Sequence, residues 1–423
     1  MRLAIDGGIP VRSEAWGSSY ICTEEINEKE KEYVLRVLDK KRLFRWAPEC
    51  LTDSETSKLE NLYCERLGVT HALAVNSGTS ALLATLIAAG IGPGDEVIIP
   101  AFTFIATASA VVLAGAVPVI VDIDETLTIS PKSILNALTK YTKAIIPVHM
   151  KGVPSQMDEI MKIAKDNKLI VIEDNAQANG GMYKGKQLGS IGDAACFSFQ
   201  QNKLVTSGEG GLIATNNSEI FSRACIYHDV GLLFRDVSKN TVNFPSFPAE
   251  NYRMSELNAA IGLAQSERID NLVGRLRKIK QKIIAGIQDV SLIELQRVPD
   301  VEGDSSCYVI FYLPSPQITM RFSMALKKEG IPNNVLRSRG FSDRHIYTNW
   351  DFILNKRAIY EASNPWSNGW YKGDVEYSLE MCQKTLQLLS RAIAIPLHQN
   401  LTTRDCDDAI EAIHKVSNNL LNL

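Results

Sequence analysis

The chain has 423 residues, of which 45% are hydrophobic and 22% are charged, and its formal net charge at pH 7 is −3. A chain of this length is expected to form two or three domains and can bury a large core. The small net charge gives no electrostatic basis for binding nucleic acid or an anionic membrane, so neither is expected as a partner.

The eight cysteines are scattered, and no two of them form a Cys-x-x-Cys pair. This pattern argues against a disulfide framework and against a zinc site, and we predict no metal. No apolar run reaches the roughly 18 residues that a membrane-spanning helix needs. The first residues also lack the basic and apolar regions of a signal peptide, so we expect a cytoplasmic protein.

In chain order, the first predicted element is an amphipathic surface helix over residues 24–43. The next residues, Leu43 to Trp46 with Pro48, predict a loop that exposes aromatic side chains. A short apolar strand at 70–75 then leads through the small polar residues 76–80 into a buried helix. A strand, a small-residue turn and a helix together offer free backbone amides and a helix dipole to a phosphate group.

Apolar runs that alternate with helical segments continue through the first half of the chain. They predict strands at residues 96–100, 115–121, 143–149, 169–174, 194–197 and 212–215. This alternation indicates an α/β fold in which a mostly parallel sheet is covered by helices on both faces. Ligands of such sheets bind at the carboxyl ends of the strands, where the turns after 75, 100 and 174 can converge.

The last third of the chain predicts a long charged helix over 255–287 and then a smaller α+β domain. The basic residues of that helix are interpreted as a solvated face: Arg275, Lys278, Lys280 and Lys282. The smaller domain is predicted from strands at 307–313 and 392–395 and from helices at 323–330 and 403–420. The predicted domains are an N-terminal extension at 1–20, a large domain at 21–285 and a small C-terminal domain at 286–423.

Two residues stand out as candidates for chemistry. Lys203 lies in a polar turn between two predicted strands, before glycines at 208, 210 and 211 that permit unusual backbone angles. A lysine amine held out of bulk water can lose its proton and attack a carbonyl, although a surface lysine before a glycine-rich hairpin gives the same pattern. Asp174 ends a strand, where a lone aspartate would be expected to cap the next helix.

The string from Ser198 to Gly211 resembles the pyridoxal-phosphate lysine motif of the DegT/DnrJ/StrS-type sugar aminotransferases, Ser-Phe-x3-Lys-x4-Gly-Glu-Gly-Gly. The resemblance implies the fold-type-I transferase architecture and pyridoxal 5'-phosphate as cofactor. It implies that Lys203 forms the internal Schiff base and that Ser198 contacts the cofactor phosphate. The string Glu173-Asp-Asn-Ala-Gln177 is similar to the family's Glu-Asp-x-Ala-Gln/His, which makes Asp174 the partner of the ring nitrogen and Gln177 the neighbour of the phenolic oxygen.

Three further strings extend this resemblance. Residues 77–80 resemble the family's phosphate turn, in which Ser77, Gly78 and Thr79 bind the cofactor. Residues 100–104 resemble Pro-x-x-Thr-Phe/Trp, which places Phe104 on one face of the ring, with ordinary core packing as the alternative. The motif Asn251-Tyr-Arg-Met-Ser-Glu implies that Asn251 reaches the phosphate of a neighbouring subunit in a homodimer with shared active sites.

The chain departs from the family pattern at two places. Ala249 and Glu250 stand where the family usually has Gly-Phe or Gly-Leu, and residues 227–231 differ from the usual Arg-x-His-Gly. Two branches look most similar. Residues 4–12 and the Gln-Gln-Asn string at 200–202 resemble the aminocyclitol and aminohydroxybenzoate branch. Residues 122–130, 148–150 and 300–305 look more like 8-amino-3,8-dideoxyoctulosonate transaminases, and we favour this second branch.

The implied function is transfer of an amino group from L-glutamate or L-glutamine to a keto-sugar, such as an 8-oxo-octulosonate, or to a keto-cyclitol. Such a product would serve nucleotide-sugar, surface-polysaccharide, lipopolysaccharide or antibiotic-type biosynthesis. The alternatives are a dehydrating and aromatising synthase of the aminohydroxybenzoate type and a non-catalytic regulatory protein that binds the cofactor. A family dehydratase is disfavoured because those enzymes have histidine where this chain has Lys203.

Overall fold

The computed structural model describes residues 2–17, 23–46, 53–231, 244–338 and 342–420. Pro48, which belongs to the predicted aromatic loop, lies outside the described residues. The helices are α1 (Glu28–Lys40), α2 (Glu55–Leu67), α3 (Gly78–Ala88), α4 (Ala106–Leu113), α5 (Pro131–Ala137), α6 (Met157–Asn167), α7 (Ser218–His228), α8 (Glu256–Ser266), α9 (Ile269–Ile287), α10 (Pro316–Lys328), α11 (Asp351–Leu354), α12 (Gln383–Arg391) and α13 (Thr403–Leu420). The strands are β1 (His71–Val75), β2 (Glu96–Pro100), β3 (Val117–Val121), β4 (Thr142–Ile145), β5 (Ile170–Asp174), β6 (Met182–Tyr183), β7 (Lys186–Gln187), β8 (Ala194–Ser198), β9 (Gly211–Thr215), β10 (Glu294–Leu295), β11 (Tyr308–Tyr312), β12 (Asn334–Val335) and β13 (Ala392–Pro396).

A seven-stranded sheet forms the centre of the fold, in the order β1-β9-β8-β5-β4-β2-β3. All neighbouring strands from β3 to β8 pair in parallel, and only β9 runs against its neighbours β8 and β1. Successive residues of β9 enter different cores, because Leu212 and Ala214 pack on one side and Ile213 on the other. Helices therefore cover both faces, and the predicted α/β sheet is confirmed.

A second sheet, in the order β10-β11-β13-β12, is antiparallel throughout. Alternate residues of β11 and β13 pack toward α10 and α13 within the same core that covers one face of the large sheet. The antiparallel sheet with helices on it agrees with the predicted α+β character of the C-terminal part. The predicted domain boundary at residue 285 falls inside α9 and stays a prediction.

The predicted single helix over 255–287 is wrong, because the chain forms α8 and α9 with a break at Glu267 and Arg268. At this break the Arg268 guanidinium binds the carboxylate of Glu30 and the carbonyl oxygen of Glu25. The predicted solvated basic face is also partly wrong. Lys280 is buried and pairs with the carboxylate of Asp304, so this lysine belongs to the protein interior.

The residues before α1 pack against the C-terminal part of the chain. The carboxylate of Glu329, which is fully buried, accepts hydrogen bonds from the backbone amides of Ala4 and Val11 and pairs with Lys415. Arg12 forms ion pairs with acidic residues at the start of α13. None of the described helices combines the length and apolar character needed to span a bilayer.

Candidate active site

A cavity of about 560 Å³ opens at the carboxyl ends of the parallel strands. Its volume lies within the range that small-molecule sites commonly have. Eight of the nine predicted site residues line it: Ser77, Gly78, Thr79, Phe104, Asp174, Gln177, Ser198 and Lys203. These residues follow β1, β2, β5 and β8, so the sheet topology brings distant parts of the chain to one place.

The predicted phosphate turn joins β1 to α3. The Ser77 hydroxyl caps α3 by accepting a hydrogen bond from the amide of Ser80 at 3.0 Å, and the amides of the first helical turn face the cavity end of the helix. A Cβ atom added at Gly78 would lie 2.8 Å from Cβ of Ser198. Glycine is therefore required for the helix terminus to approach the end of β8 this closely.

Lys203 lies in the connection between β8 and β9, which a regular antiparallel register holds together up to the pair Ser198 and Gly211. A Cβ atom at Gly211 would lie 2.4 Å from the carbonyl oxygen of Ser77, so this glycine lets β9 pack against the phosphate turn. The Lys203 amide donates to the carbonyl oxygen of Gln200 at 2.9 Å, which closes a tight turn. Burial of the Lys203 amine lowers its pKa from the usual value, and the charge of Asp174 opposes that shift.

Asp174 ends β5 and is almost completely buried. Its Oδ2 accepts a hydrogen bond from the Thr107 hydroxyl at 2.8 Å, and its Oδ1 accepts one from the amide of Ala176 at 3.1 Å. Burial raises the pKa of this carboxyl group, and the hydrogen bond from Thr107 is the largest opposing effect. A carboxylate so poor in donors gains much from a cationic partner in the cavity.

The preceding residue, Glu173, is fully buried on the other side of the strand and does not line the cavity. Its oxygens accept hydrogen bonds from Nε2 of His149 at 3.0 Å and from the amides of Gly189, Ile191 and Gly192 at 2.9, 2.7 and 2.7 Å. Burial opposes ionisation of Glu173, but these donors together lower its pKa below the usual value. The glutamate thus holds β5 and the residues after it in place.

The other predicted residues take different positions around the cavity. Gln177 is half-buried, and its Oε1 accepts a hydrogen bond from the amide of Lys151 at 3.3 Å. Phe104 has 42% of its surface exposed and lies 5.3 Å from the ring of His345, so it is not an ordinary core residue. Its role as the stacking surface stays a prediction.

Asn251 is the one predicted site residue that does not line the cavity. It is exposed, forms an isolated antiparallel bridge with Asp229, and accepts a hydrogen bond from the amide of Arg253 at 3.3 Å. Asp229 in turn pairs with the Arg253 guanidinium. The structure of this chain therefore leaves Asn251 outside its own cavity.

The structure adds residues that the motifs did not indicate. Thr107 fixes Asp174, and its spacing of three from Phe104 at the start of α4 was the available signal. Several others reach the cavity from regions that matched no motif, among them Lys151, Cys307, Tyr308 and His345. The last three come from the C-terminal part of the chain, whose position on the sheet cannot be read from local sequence.

The functional groups of these residues match the parts of pyridoxal phosphate that a protein must bind. Ser77, Gly78, Thr79 and Ser198 line the cavity at the start of α3, where backbone amides and hydroxyl groups can bind a phosphate. Asp174 supplies a buried carboxylate for a ring cation, and Lys203 supplies an amine whose pKa is lowered. The cavity between them is large enough for a cofactor and a substrate.

The sheet order, the helices on both faces and the lysine beyond β8 define a fold-type-I pyridoxal-phosphate enzyme. Residues 24–414 match the profile of the DegT/DnrJ/EryC1/StrS aminotransferase family, and the chain belongs to that family. Aminotransferases of this family depend on pyridoxal phosphate, so the predicted fold class, enzyme class and cofactor are confirmed.

Two relatives are similar to this chain over different lengths. A GDP-perosamine synthase of Caulobacter vibrioides is 40% identical over 261 residues, which are 61% of this chain and 67% of the synthase. The chain thus spans about two thirds of that relative. The spore coat polysaccharide biosynthesis protein SpsC of Bacillus subtilis is 32% identical over 370 residues, or 86% of this chain and 89% of SpsC.

Solved structures agree over nearly the whole chain. An aminotransferase from Psychrobacter cryohalolentis has a TM-score of 0.77 and 29% identity, and the match covers 97% of this chain and all of that one. NtdA from Bacillus subtilis, solved with bound cofactor PMP, has a TM-score of 0.73 and 25% identity over 96% of this chain and 86% of its own. Sugar aminotransferases are therefore the enzymes that this chain is similar to.

Proposed function

We propose that the protein transfers an amino group from L-glutamate or L-glutamine to a keto-sugar, such as an 8-oxo-octulosonate or a keto-cyclitol. The observation that carries the proposal is the convergence of Lys203, Asp174 and the phosphate turn on one cavity. The names of the similar proteins support a product used in surface-polysaccharide synthesis, because one is a GDP-perosamine synthase and one a spore coat polysaccharide protein. Nucleotide-sugar, lipopolysaccharide and antibiotic-type pathways all use such products.

The proposed roles follow from the surroundings of each residue. Pyridoxal phosphate, when bound, supplies an electron sink that stabilises a carbanion next to the amino nitrogen. Asp174 holds the ring nitrogen protonated, and Thr107 keeps its carboxylate oriented. Lys203 anchors the cofactor, and its Nζ then takes and returns the proton of the substrate carbon. Ser77, Gly78, Thr79 and Ser198 hold the phosphate, and Gln177 lies by the phenolic oxygen.

Chemical fixation tests the role of Lys203. Purified holoenzyme should be yellow, and borohydride should bleach its absorbance and fix the cofactor to one side chain. Mass analysis of the digested protein should then find the pyridoxyl group on Lys203, because this residue lines the cavity and burial lowers the pKa of its amine. A label on any other lysine would contradict the assignment.

A dehydrating, aromatising synthase is the second candidate, and one observation favours it. A 3-amino-5-hydroxybenzoic acid synthase has a TM-score of 0.76 and 26% identity to this chain. With a transaminase, continued loss of the amino donor requires an added ketone. A dehydrating synthase or a regulatory protein shows no such ketone-dependent loss of the donor. Ketone-dependent loss of L-glutamate or L-glutamine therefore separates the proposed function from both alternatives, and a screen of keto-sugars would identify the acceptor.

We further propose a homodimer with shared active sites, in which Asn251 reaches the partner's phosphate. Its exposure and its position outside the cavity support this assignment. A mixture of Asn251→Ala and Lys203→Ala subunits should recover about a quarter of the wild-type activity per subunit, because half of randomly formed dimers are hybrids with one intact site. A mixed population without recovery would refute the shared site, because Asn251 would then serve its own subunit or, with Glu250 before it, lie away from the phosphate.

The proposed location is the cytoplasm. None of the six cysteines in the described ranges forms a disulfide, and five of them are buried in the two cores. Free thiols persist in a reducing compartment. Cell fractionation with an antibody against the native protein tests this location, and recovery of the protein in a secreted or envelope fraction would refute it.

A further inference from the structure

A second lysine of the cavity, Lys151, has no role in the proposed chemistry. It follows β4 in a short turn and adopts a left-handed backbone conformation with φ of 57°, which is uncommon for a residue other than glycine. This conformation directs the chain so that Lys151 lines the cavity together with Lys203. A positively charged side chain is thus built into the cavity wall.

The contacts of Lys151 leave its charge without an acidic partner. Its Nζ lies 4.6 Å from the ring centroid of Tyr308, over the face of the ring. In the described parts of the chain no carboxylate lies within 4.0 Å of it, whereas the half-buried or buried lysines Lys58 and Lys415 each pair with an acid. A partly buried cation without a counter-ion is costly, so such a position normally has a function.

The nearby acid, Asp343, forms no ion pair with Lys151 and instead binds His345. Its Oδ1 lies 2.7 Å from Nδ1 of His345 and also accepts the hydrogen bond of the His345 amide. The charge of Lys151 nevertheless acts on the cavity. It helps to lower the pKa of Lys203, after burial, which is the largest cause. Lys151 therefore lies near the amine at which the reaction takes place.

We propose that Lys151 binds a carboxylate group of a substrate and so makes the enzyme selective for acids. This inference rests on the proposed function, since the phosphate turn and Ser198 are assigned to the cofactor and leave Lys151 for the substrate. The carboxylate belongs either to the amino-acid donor or to a sugar acid that accepts the amino group. The face of the Tyr308 ring holds the ammonium group at the cavity wall, where it can form a charge-assisted contact with a carboxylate.

Unreactive ligand pairs test the proposal without relying on catalysis. Glutarate represents the donor acid and glutaramide is its neutral counterpart, while D-gluconate represents a sugar acid and D-sorbitol its neutral counterpart. Calorimetric titration of the holoenzyme should show that one of the acids binds at least about tenfold more tightly than its neutral counterpart, as expected for a charge-assisted contact. A glutarate preference identifies the donor as the source, and a gluconate preference identifies the acceptor.

The preference for the acid over its neutral counterpart should disappear in Lys151→Met and should be kept in Lys151→Arg, which retains the charge. Lys186→Met is the matched control, because Lys186 is exposed in β7 and does not line the cavity. This control variant should show the same preference as the wild type. Lys151→Gln repeats the test if the methionine variant loses the cofactor. A preference that survives the loss of charge, or a wild type that does not distinguish acids from amides, overturns the proposal. The proposed function fails separately, through the borohydride label on Lys203.

Discussion

Glu173 provides a direct test of how the site is held in place. Replacing it with glutamine keeps the size of the side chain and turns one acceptor oxygen into an amino group that can only donate. Each carboxylate oxygen accepts two hydrogen bonds, Oε2 from His149 and Gly189 and Oε1 from Ile191 and Gly192. Whichever way the glutamine turns, two donors lose their acceptor. They are the buried groups of His149 and Gly189 in one orientation and the part-buried amides of Ile191 and Gly192 in the other.

The expected cost follows from that count. A buried donor left without an acceptor costs about 1–3 kcal/mol, and the orientation that leaves only the two part-buried amides unpaired is the less costly one, so the free energy of unfolding should fall by roughly 1–3 kcal/mol. His149 cannot relieve the conflict by changing tautomer. Its Nδ1 accepts a hydrogen bond from the amide of Ser155 at 3.1 Å and would lose that bond if it carried the proton.

The pH dependence adds a second test. The pKa of Glu173 is lowered in the folded protein, so its stabilising effect is present above the unfolded-state pKa and is lost as the pH falls through the folded-state value. The difference between wild type and Glu173→Gln should be constant between about pH 6 and 8 and should shrink below about pH 4, the usual range for this side chain.

Urea unfolding of the two apoenzymes measures the difference. Glu159→Gln is the matched control, because Glu159 is exposed on α6 and such a surface change should alter stability by less than about 0.5 kcal/mol. If Glu173→Gln is as stable as this control, the four hydrogen bonds do not hold β5 and the reasoning is refuted.

Three further predictions concern the cofactor groups. Asp174→Asn should slow transamination at least ~100-fold while the cofactor still binds, and single-turnover rates within a few-fold of the wild type would mean that another group serves the ring nitrogen. Gly78→Ala should weaken pyridoxal phosphate binding at least about tenfold, because its Cβ would lie 2.8 Å from the Ser198 side chain, whereas Gly274→Ala in α9 has no neighbour within 4 Å and should bind normally. In the apoenzyme, Lys203 should become reactive to acetylation at a lower pH than Lys184, since the pKa of Lys203 is lowered and that of Lys184 is raised. Mass spectrometry after acetylation at a series of pH values measures the order, and earlier labelling of Lys184 would contradict the prediction.

The parts of the site that could be predicted are those that local sequence determines. Gly78 and Gly211 are needed because neighbouring segments lie so close to them that a Cβ atom has no room. Both glycines belong to the recognised sequence motifs, so they could be identified from the sequence. The strand before each turn is also local, so Asp174 could be assigned to a strand end, and Lys203 to the turn after a strand, before the sheet order was known. Parallel strands then placed these ends at one edge.

The remaining parts depend on contacts between distant residues. Lys280 looks like a surface lysine in its helix pattern, and only the packing of Asp304 against α9 makes it part of the interior. The break between α8 and α9 contains neither glycine nor proline, and at that break Arg268 bonds to the region before α1. His345 reaches the cavity because residues 342–350 pack on the chain after β2, where Phe102 and Ile346 form a bridge.

The two neighbouring acids, Glu173 and Asp174, show how the fold distinguishes a structural carboxylate from one available to a ligand. Both are buried at the end of the same strand, yet the pKa is lowered for Glu173 and raised for Asp174. The difference lies in the donors, because Glu173 accepts four hydrogen bonds from the protein and Asp174 accepts one from a hydroxyl and one from an amide. The protein thus satisfies one acid completely and leaves the other short of positive partners on the side of the cavity. That shortage supports the proposal that Asp174 receives the protonated ring nitrogen of the cofactor.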